Sequence, residues 1–147
     1  MDSSIMVFAV PVFMLLIFVE CIVNIRQKTE RYNLNDTVNN FSTGILEEMS
    51  GLPIKASIAF VYMYLYVNYG YWHLDGTTWF SWFVAWIGVD FFYYWFHRSS
   101  HRCNLLWAGH SVHHQSTYFN YSVGLRQGIV QAMTSWVFFL PLALIGV

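Results

Sequence analysis

Charge is scarce in this chain. Lys and Arg number 7 and Asp and Glu 8, so charged residues are 10% of 147, against roughly 25% in a soluble domain. So few charges cannot cover the surface of a soluble globule this size. Disorder is excluded from the other side, because it needs low hydrophobicity and high charge. A net charge of −1 leaves no basic footprint, so no nucleic acid is expected as partner. The only cysteines are Cys21 and Cys103, so no disulfide framework is implied. No internal repeat or low-complexity tract is visible.

What remains is apolar. Hydrophobic residues are 56%, aromatics 20%, and the mean hydropathy is +0.42. The class this leaves is an all-α, polytopic transmembrane helical bundle of about four spans. Ile5 to Ile25 is a near-continuous apolar run, which as a helix reaches about 30 Å, one hydrocarbon core. A cleaved signal peptide needs a basic start and a small-residue cleavage site. Met-Asp-Ser-Ser offers neither, so the run reads as a retained span with Glu20 near its inner end. Leu52 to Trp72 is the second expected span, with Pro53 in its first turn and Tyr62, Tyr64, Tyr66, Tyr69 and Tyr71 along it. Thr77 to Phe96 follows the turn His73-Leu74-Asp75-Gly76, with Trp79, Trp82 and Trp86 as an aromatic belt. Ile129 to Val147 is the fourth. Residues 32–51 are polar and mixed, and their periodicity does not choose between an interfacial helix and a re-entrant piece.

Basic residues set orientation. Arg26, Lys28, Arg31 and Lys55 flank the first loop, and Arg98, Arg102 and Arg126 follow the third span. Both basic loops are therefore expected on the cytosolic side. The sequons at Asn35, Asn40 and Asn120 fall there and are expected to stay unglycosylated.

Histidine is where the composition is unusual. Six occur, and five lie between positions 97 and 114. His97 and His101 are spaced i, i+4; His110, His113 and His114 are spaced i, i+3, i+4. On helices each set shares a face, so several imidazoles can meet one metal. Two short helices broken at Cys103-Asn104 would form a histidine-rich cytosolic cap. A structural zinc site closes with four ligands and usually includes Cys. Five histidines exceed that, and His97-Arg-Ser-Ser-His101 lacks the Glu of a zinc protease. Iron accepts imidazole readily, and open non-haem iron sites carry O₂ chemistry. Cys103 needs no metal role, and His73 reads as an interfacial bystander.

Asp90 lies inside the third expected span, seven residues before His97. With Tyr94, His97 and His101 it forms one polar stripe expected to face the bundle interior. Asp90 is a candidate acceptor for the second ring N–H of a ligand histidine, or else a structural hydrogen-bonding group.

These residues resemble a known family. His97-x-x-x-His101 followed by His110-x-x-His113-His114 resembles the first two histidine boxes of the fatty acid hydroxylase/sterol desaturase superfamily. Val89-Asp-Phe-Phe-Tyr-Tyr-Trp-Phe-His97-Arg, Leu106-Trp-Ala-Gly-His110, Asn120-Tyr-Ser and Leu125-Arg-Gln127 look most like its alkylglycerol monooxygenase branch. The resemblance implies a multi-pass endoplasmic reticulum enzyme with two irons, the histidine cluster facing the cytosol, and O₂-dependent oxidation of a lipid C–H bond. It implies His97, His101, His110, His113 and His114 as iron ligands. Asp90, Tyr94, Asn120 and Arg126 are candidates for the shell around them. The reductant is tetrahydrobiopterin in the alkylglycerol branch, and cytochrome b5 is the redox partner in the sterol and fatty acyl branches. Alkylglycerol members have an acidic residue after the first box, where this chain has Arg102. The family's third box would lie beyond Val147. Residues 1–76 then read as an N-terminal membrane region and 77–147 as part of a hydroxylase domain, inactive alone. The rival from another class is a truncated, non-catalytic metal-binding membrane protein.

Overall fold

A computed structural model describes residues 3–147, with side chains from Phe8 onward. Six α-helices occur among the described residues: α1 (Ser3–Gln27), α2 (Leu34–Tyr69), α3 (Trp79–Ser100), α4 (Asn104–His110), α5 (Ile129–Ser135) and α6 (Leu140–Ile145). Short 3-10 turns cover His113–Gln115, Tyr121–Leu125 and Trp136–Phe139. The described residues contain no strand, as the all-α expectation requires.

Two helices, α1 and α2, are long and apolar enough to cross a membrane. The first matches the expected first span. The second differs from expectation: polar residues 34–51 and the apolar run after them form one helix of 36 residues, about 54 Å long. Pro53 is therefore not in a first turn but deep inside α2, where its missing N–H leaves the Met49 carbonyl without its helical donor. The polar half stays helical because its side chains find partners: Asn40 is buried, and Asp36, one turn before it, half-buried, against residues 116–126. The helix ends at Tyr69, short of Trp72.

α3 begins at Trp79 because Thr78 caps it, its hydroxyl accepting the Ser81 N–H at 3.3 Å. In the preceding turn the Asp75 carboxylate accepts the Thr77 N–H at 2.9 Å, and that backbone bond holds its pKa below the ordinary carboxylate value. α3 runs past the expected end at Phe96 to Ser100, carrying His97 on its last turn. The expected single span Ile129–Val147 is instead broken into α5, a 3-10 turn and α6. Pro141 near the start of α6 cannot donate to the turn before it. Gly146, at φ 95°, ends α6 in the left-handed region that glycine tolerates.

The chain packs as two compact units, each discontinuous in sequence. One comprises residues up to Leu46 with Val112–Gln127. There the Glu20 carboxylate accepts the Tyr32 hydroxyl at 2.6 Å and the Tyr121 N–H at 2.8 Å, fastening α1 to the Tyr121–Leu125 turn. Burial first, and the bond to Glu20 second, raise the Tyr32 phenol pKa well above its usual value. Gly44 lets α2 approach this turn: a Cβ there would lie 2.5 Å from the Leu125 carbonyl oxygen.

The other unit comprises Glu47–Ser111 with Gly128–Val147. α3 packs on α4, α6 and the Trp136–Phe139 turn, and α4 packs on α5. Gly88 faces Leu142, Phe96 meets Phe138 edge-on at 5.5 Å, and Ser81, Phe96 and Ser100 are buried. Gly109 lets α4 sit against the backbone of Val130 and Gln131. Residues 71–74 lie along the end of α6, with the N–H groups of Tyr71, Trp72 and Leu74 donating to the Leu144, Ile145 and Gly146 carbonyls.

Candidate metal centre

The first box forms at the end of α3. His97 is the fourth residue from the helix C-terminus, and His101 is its C-cap, with backbone still right-handed and its N–H on the His97 carbonyl at 3.2 Å. One turn of rise thus brings the rings together: His97 Nε2 and His101 Nε2 are 3.2 Å apart. Cys103 then breaks the chain direction and stands at the N-cap of α4 without a side-chain cap bond, as the expected break required.

α4 delivers His110 to the same place. Its ring centroid lies 4.8 Å from that of His97 and 4.9 Å from that of His101. The ligand nitrogens of His97, His101 and His110 all fall within 4.8 Å of one another. His110 is buried at 3% exposure. Its Nδ1 is 2.8 Å from Gln131 Oε1 on α5. With the amide oxygen accepting, Nδ1 carries the proton and Nε2 keeps its lone pair. Gln131 is a site residue that sequence spacing did not reveal, since nothing local ties position 131 to 110.

Aromatic rings wall the three histidines. Tyr93 stacks on His97 at 5.8 Å and 19°, Trp107 lies 5.4 Å from His101, and buried Phe96 meets His110 edge-on at 6.5 Å.

Two metal–nitrogen bonds of about 2.0–2.1 Å at 90–109° put the donor atoms about 2.9–3.4 Å apart. The His97–His101 separation of 3.2 Å falls in that range. Neutral imidazoles suit iron, zinc, copper and nickel. The residues present therefore fit a transition metal.

The second box departs from the expected single helix face. His110 ends α4, and His113 and His114 follow in a 3-10 turn that belongs to the other compact unit. Their rings lie 5.3 Å apart, beside a cavity of about 210 Å³ lined also by Ser116, Thr117, Tyr118, Phe119 and Val123. His113 Nδ1 lies 3.2 Å from the Arg126 carbonyl oxygen.

The remaining candidates have other surroundings. Asp90 is exposed, not inward-facing. The covered stripe of α3 runs through Ser81, Gly88, Phe96 and Ser100. Asp90, two residues past Gly88, points about 200° round the helix from it. Tyr94 is also exposed, its hydroxyl accepting from Arg98 Nη1 at 2.7 Å and not from a histidine. Asn120 is buried and caps the Tyr121–Leu125 turn, accepting the Ser122 N–H at 3.0 Å and donating to the Arg31 carbonyl at 2.7 Å. Arg126 is buried among polar partners. His73 stacks edge-on with Tyr66 at 5.0 Å in its turn, away from the boxes in sequence and in contacts.

Residues 82–147 match the fatty acid hydroxylase family model. Over nearly its whole length the chain is similar to alkylglycerol monooxygenases. It is 37% identical over 138 residues to that of Danio rerio, covering 93% of this chain and 31% of the relative. It is 39% identical over 137 residues to that of Homo sapiens, covering 92% and 31%. The Xenopus tropicalis protein is 33% identical over 131 residues, covering 89% and 29%. The chain thus spans about a third of the length of these curated relatives. No solved structure matches it.

Proposed function

We propose that this chain belongs to a membrane-bound, iron-dependent lipid monooxygenase, acting with O₂ on a C–H bond of an ether lipid. The observation that carries the reading is the imidazole cluster of His97, His101 and buried His110, whose ligand nitrogens lie within 4.8 Å of one another, with Gln131 holding the His110 ring. The similarity to alkylglycerol monooxygenases supplies the substrate class, and the family supplies iron as the metal.

In this reading His97, His101 and His110 hold iron through neutral nitrogens. His113 and His114 add to the ligand set by their match to the second box, which makes a two-iron centre the expected form. Gln131 keeps the His110 proton on Nδ1. Phe96, Tyr93 and Trp107 restrict water around the rings and fix their tilt. The chemistry that iron supplies when bound is O₂-dependent oxidation of a C–H bond. Four membrane segments, an endoplasmic reticulum location and a cytosolic histidine face complete the proposal. That face lets a soluble reductant, tetrahydrobiopterin, reach a site whose substrate lies in the bilayer. Residues 77–147 form the hydroxylase part and residues 1–76 the preceding membrane region.

Arg102 favours a second reading of donor and substrate. It stands exposed directly after His101, where alkylglycerol members carry an acidic side chain. In that reading the same centre oxidises a sterol or fatty acyl chain with electrons from cytochrome b5.

Two measurements test the proposal. Iron per chain is measured after loading the purified protein in lipid nanodiscs, with H97A, H101A and H110A as controls. Each substitution is expected to abolish tight binding, whereas H73N leaves it unchanged. Membranes containing the protein are then given an alkylglycerol with tetrahydrobiopterin, or a sterol with cytochrome b5. Absence of iron binding by the wild-type chain sinks the centre. Turnover in the second mixture alone selects the second reading.

A further inference from the structure

The second histidine box, unlike the first, is not carried on a long helix. His113 and His114 sit in a 3-10 turn of three residues, flanked by non-helical chain from Ser116 onward. Such a turn does not hold two imidazoles by backbone hydrogen bonding alone. One buried side chain touches it on both sides.

Arg126 is 8% exposed. Its Nε donates to the Val112 carbonyl at 2.8 Å, directly before His113. Its Nη2 donates to Gln115 Oε1 at 3.3 Å, directly after His114. Its Nη1 donates to Asn40 Oδ1 at 3.0 Å and lies 3.6 Å from Asp36 Oδ1 on α2. Its backbone carbonyl faces His113 Nδ1 at 3.2 Å. A carbonyl oxygen only accepts, so His113 Nδ1 carries the proton and the neutral ring keeps its lone pair on Nε2.

A second tie runs parallel. The Ser116 hydroxyl donates to Asp36 Oδ2 at 2.6 Å. Asn40, fully buried, donates to the Ser122 hydroxyl at 2.9 Å. The polar face of α2 thus grips the turn through Ser116 and, by way of the guanidinium, through Val112 and Gln115. A buried guanidinium must be paired to be tolerated. Its planar fork has fixed donor directions, so satisfying it fixes the acceptors as well. Lysine could not place three such directed bonds.

We propose that Arg126 is the positioning residue of the second histidine box: its side chain spans the His113–His114 turn and its carbonyl sets the His113 tautomer. Asp36 and Asn40 are the base on which it rests. The proposal depends on the metal-centre reading above, because it concerns ligands of that centre.

The test uses the full chain in lipid nanodiscs, with Co²⁺ alone as the metal probe. Hydrogen exchange over residues 112–117 and helix content are measured on the same samples. In R126M, Co²⁺ affinity is expected to fall about 10- to 100-fold, as for outer partners of metal ligands. Exchange over 112–117 should accelerate while helix content stays unchanged. R126K keeps the cation beside Asp36 but lacks the fork, and should fall between R126M and wild type. Faster exchange with wild-type Co²⁺ affinity would show a merely structural tie and overturn the proposal. If R126M loses helix content, R126K and Q115A decide: wild-type affinity in both overturns it. Failure of the underlying reading looks different, since wild type itself would then bind no Co²⁺.

Discussion

Replacing Gln131 with leucine removes the acceptor of His110 Nδ1 while keeping side-chain volume close. That bond is 2.8 Å long, and the ring it holds is 3% exposed. A net protein hydrogen bond is worth about 0.5–1.5 kcal/mol, which is about 2- to 13-fold in an affinity. Outer partners of metal-bound histidines are worth about 10- to 100-fold. The two ranges overlap near tenfold, and a loss of about tenfold in Co²⁺ affinity is expected for Q131L. The assay is a visible-absorption Co²⁺ titration of the chain in nanodiscs. Q131E should lose less than Q131L or gain, because a carboxylate accepts more strongly and makes the imidazole a better donor to metal. Wild-type affinity in Q131L, or equal losses in both variants, would refute the claim that residue 131 orients His110.

Three further outcomes are expected. A Cβ at Gly44 meets a backbone carbonyl oxygen at 2.5 Å, whereas one at Gly88 meets only the Leu142 Cδ2 tip at 2.5 Å, so G44A should lower Tm more than G88A. Overpacking costs about 1–3 kcal/mol, and equal Tm values in the two variants would contradict the close approach of α2 to Leu125. The Tyr32 phenol has its pKa raised by burial and Glu20, from an ordinary value of 10.0. Its stabilisation is therefore fully present below pH 10 and is lost as pH rises beyond it towards the raised value. The Tm advantage of wild type over Y32F should shrink on going from pH 9 to pH 11, and a constant difference would count against the Tyr32–Glu20 bond. Asn40 is fully buried and Asn120 is 7% exposed, both hydrogen-bonded, so these sequons should show no glycosidase-sensitive mass shift even if exposed Asn35 does.

Much of this protein is written in local pattern. Scarce charge and long apolar runs give the helical membrane class, because a helix satisfies its own backbone in lipid. The i, i+4 spacing of His97 and His101 gives their convergence, since one helical turn stacks such residues whatever packs around them. The break at Cys103 and the cap at Thr78 are likewise local. Residues 32–51 were not readable in the same way. Two of their polar positions are explained by partners roughly 80 residues away: Asp36 by Ser116, and Asn40 by Ser122 and Arg126.

Tertiary packing decided the rest. It turned the last apolar run into α5, a 3-10 turn and α6, fitted against α3 and α4. It left Asp90 on the exposed side of α3, because the faces lined by Gly88 and Phe96 were the ones that packed. It brought Gln131 to His110 across 21 positions of sequence and Arg126 to Asn40 across 86. Spacing along a helix determines which side chains share a face. Which distant face meets them depends on how whole helices pack, and that is where Gln131 and Arg126 acquire their roles.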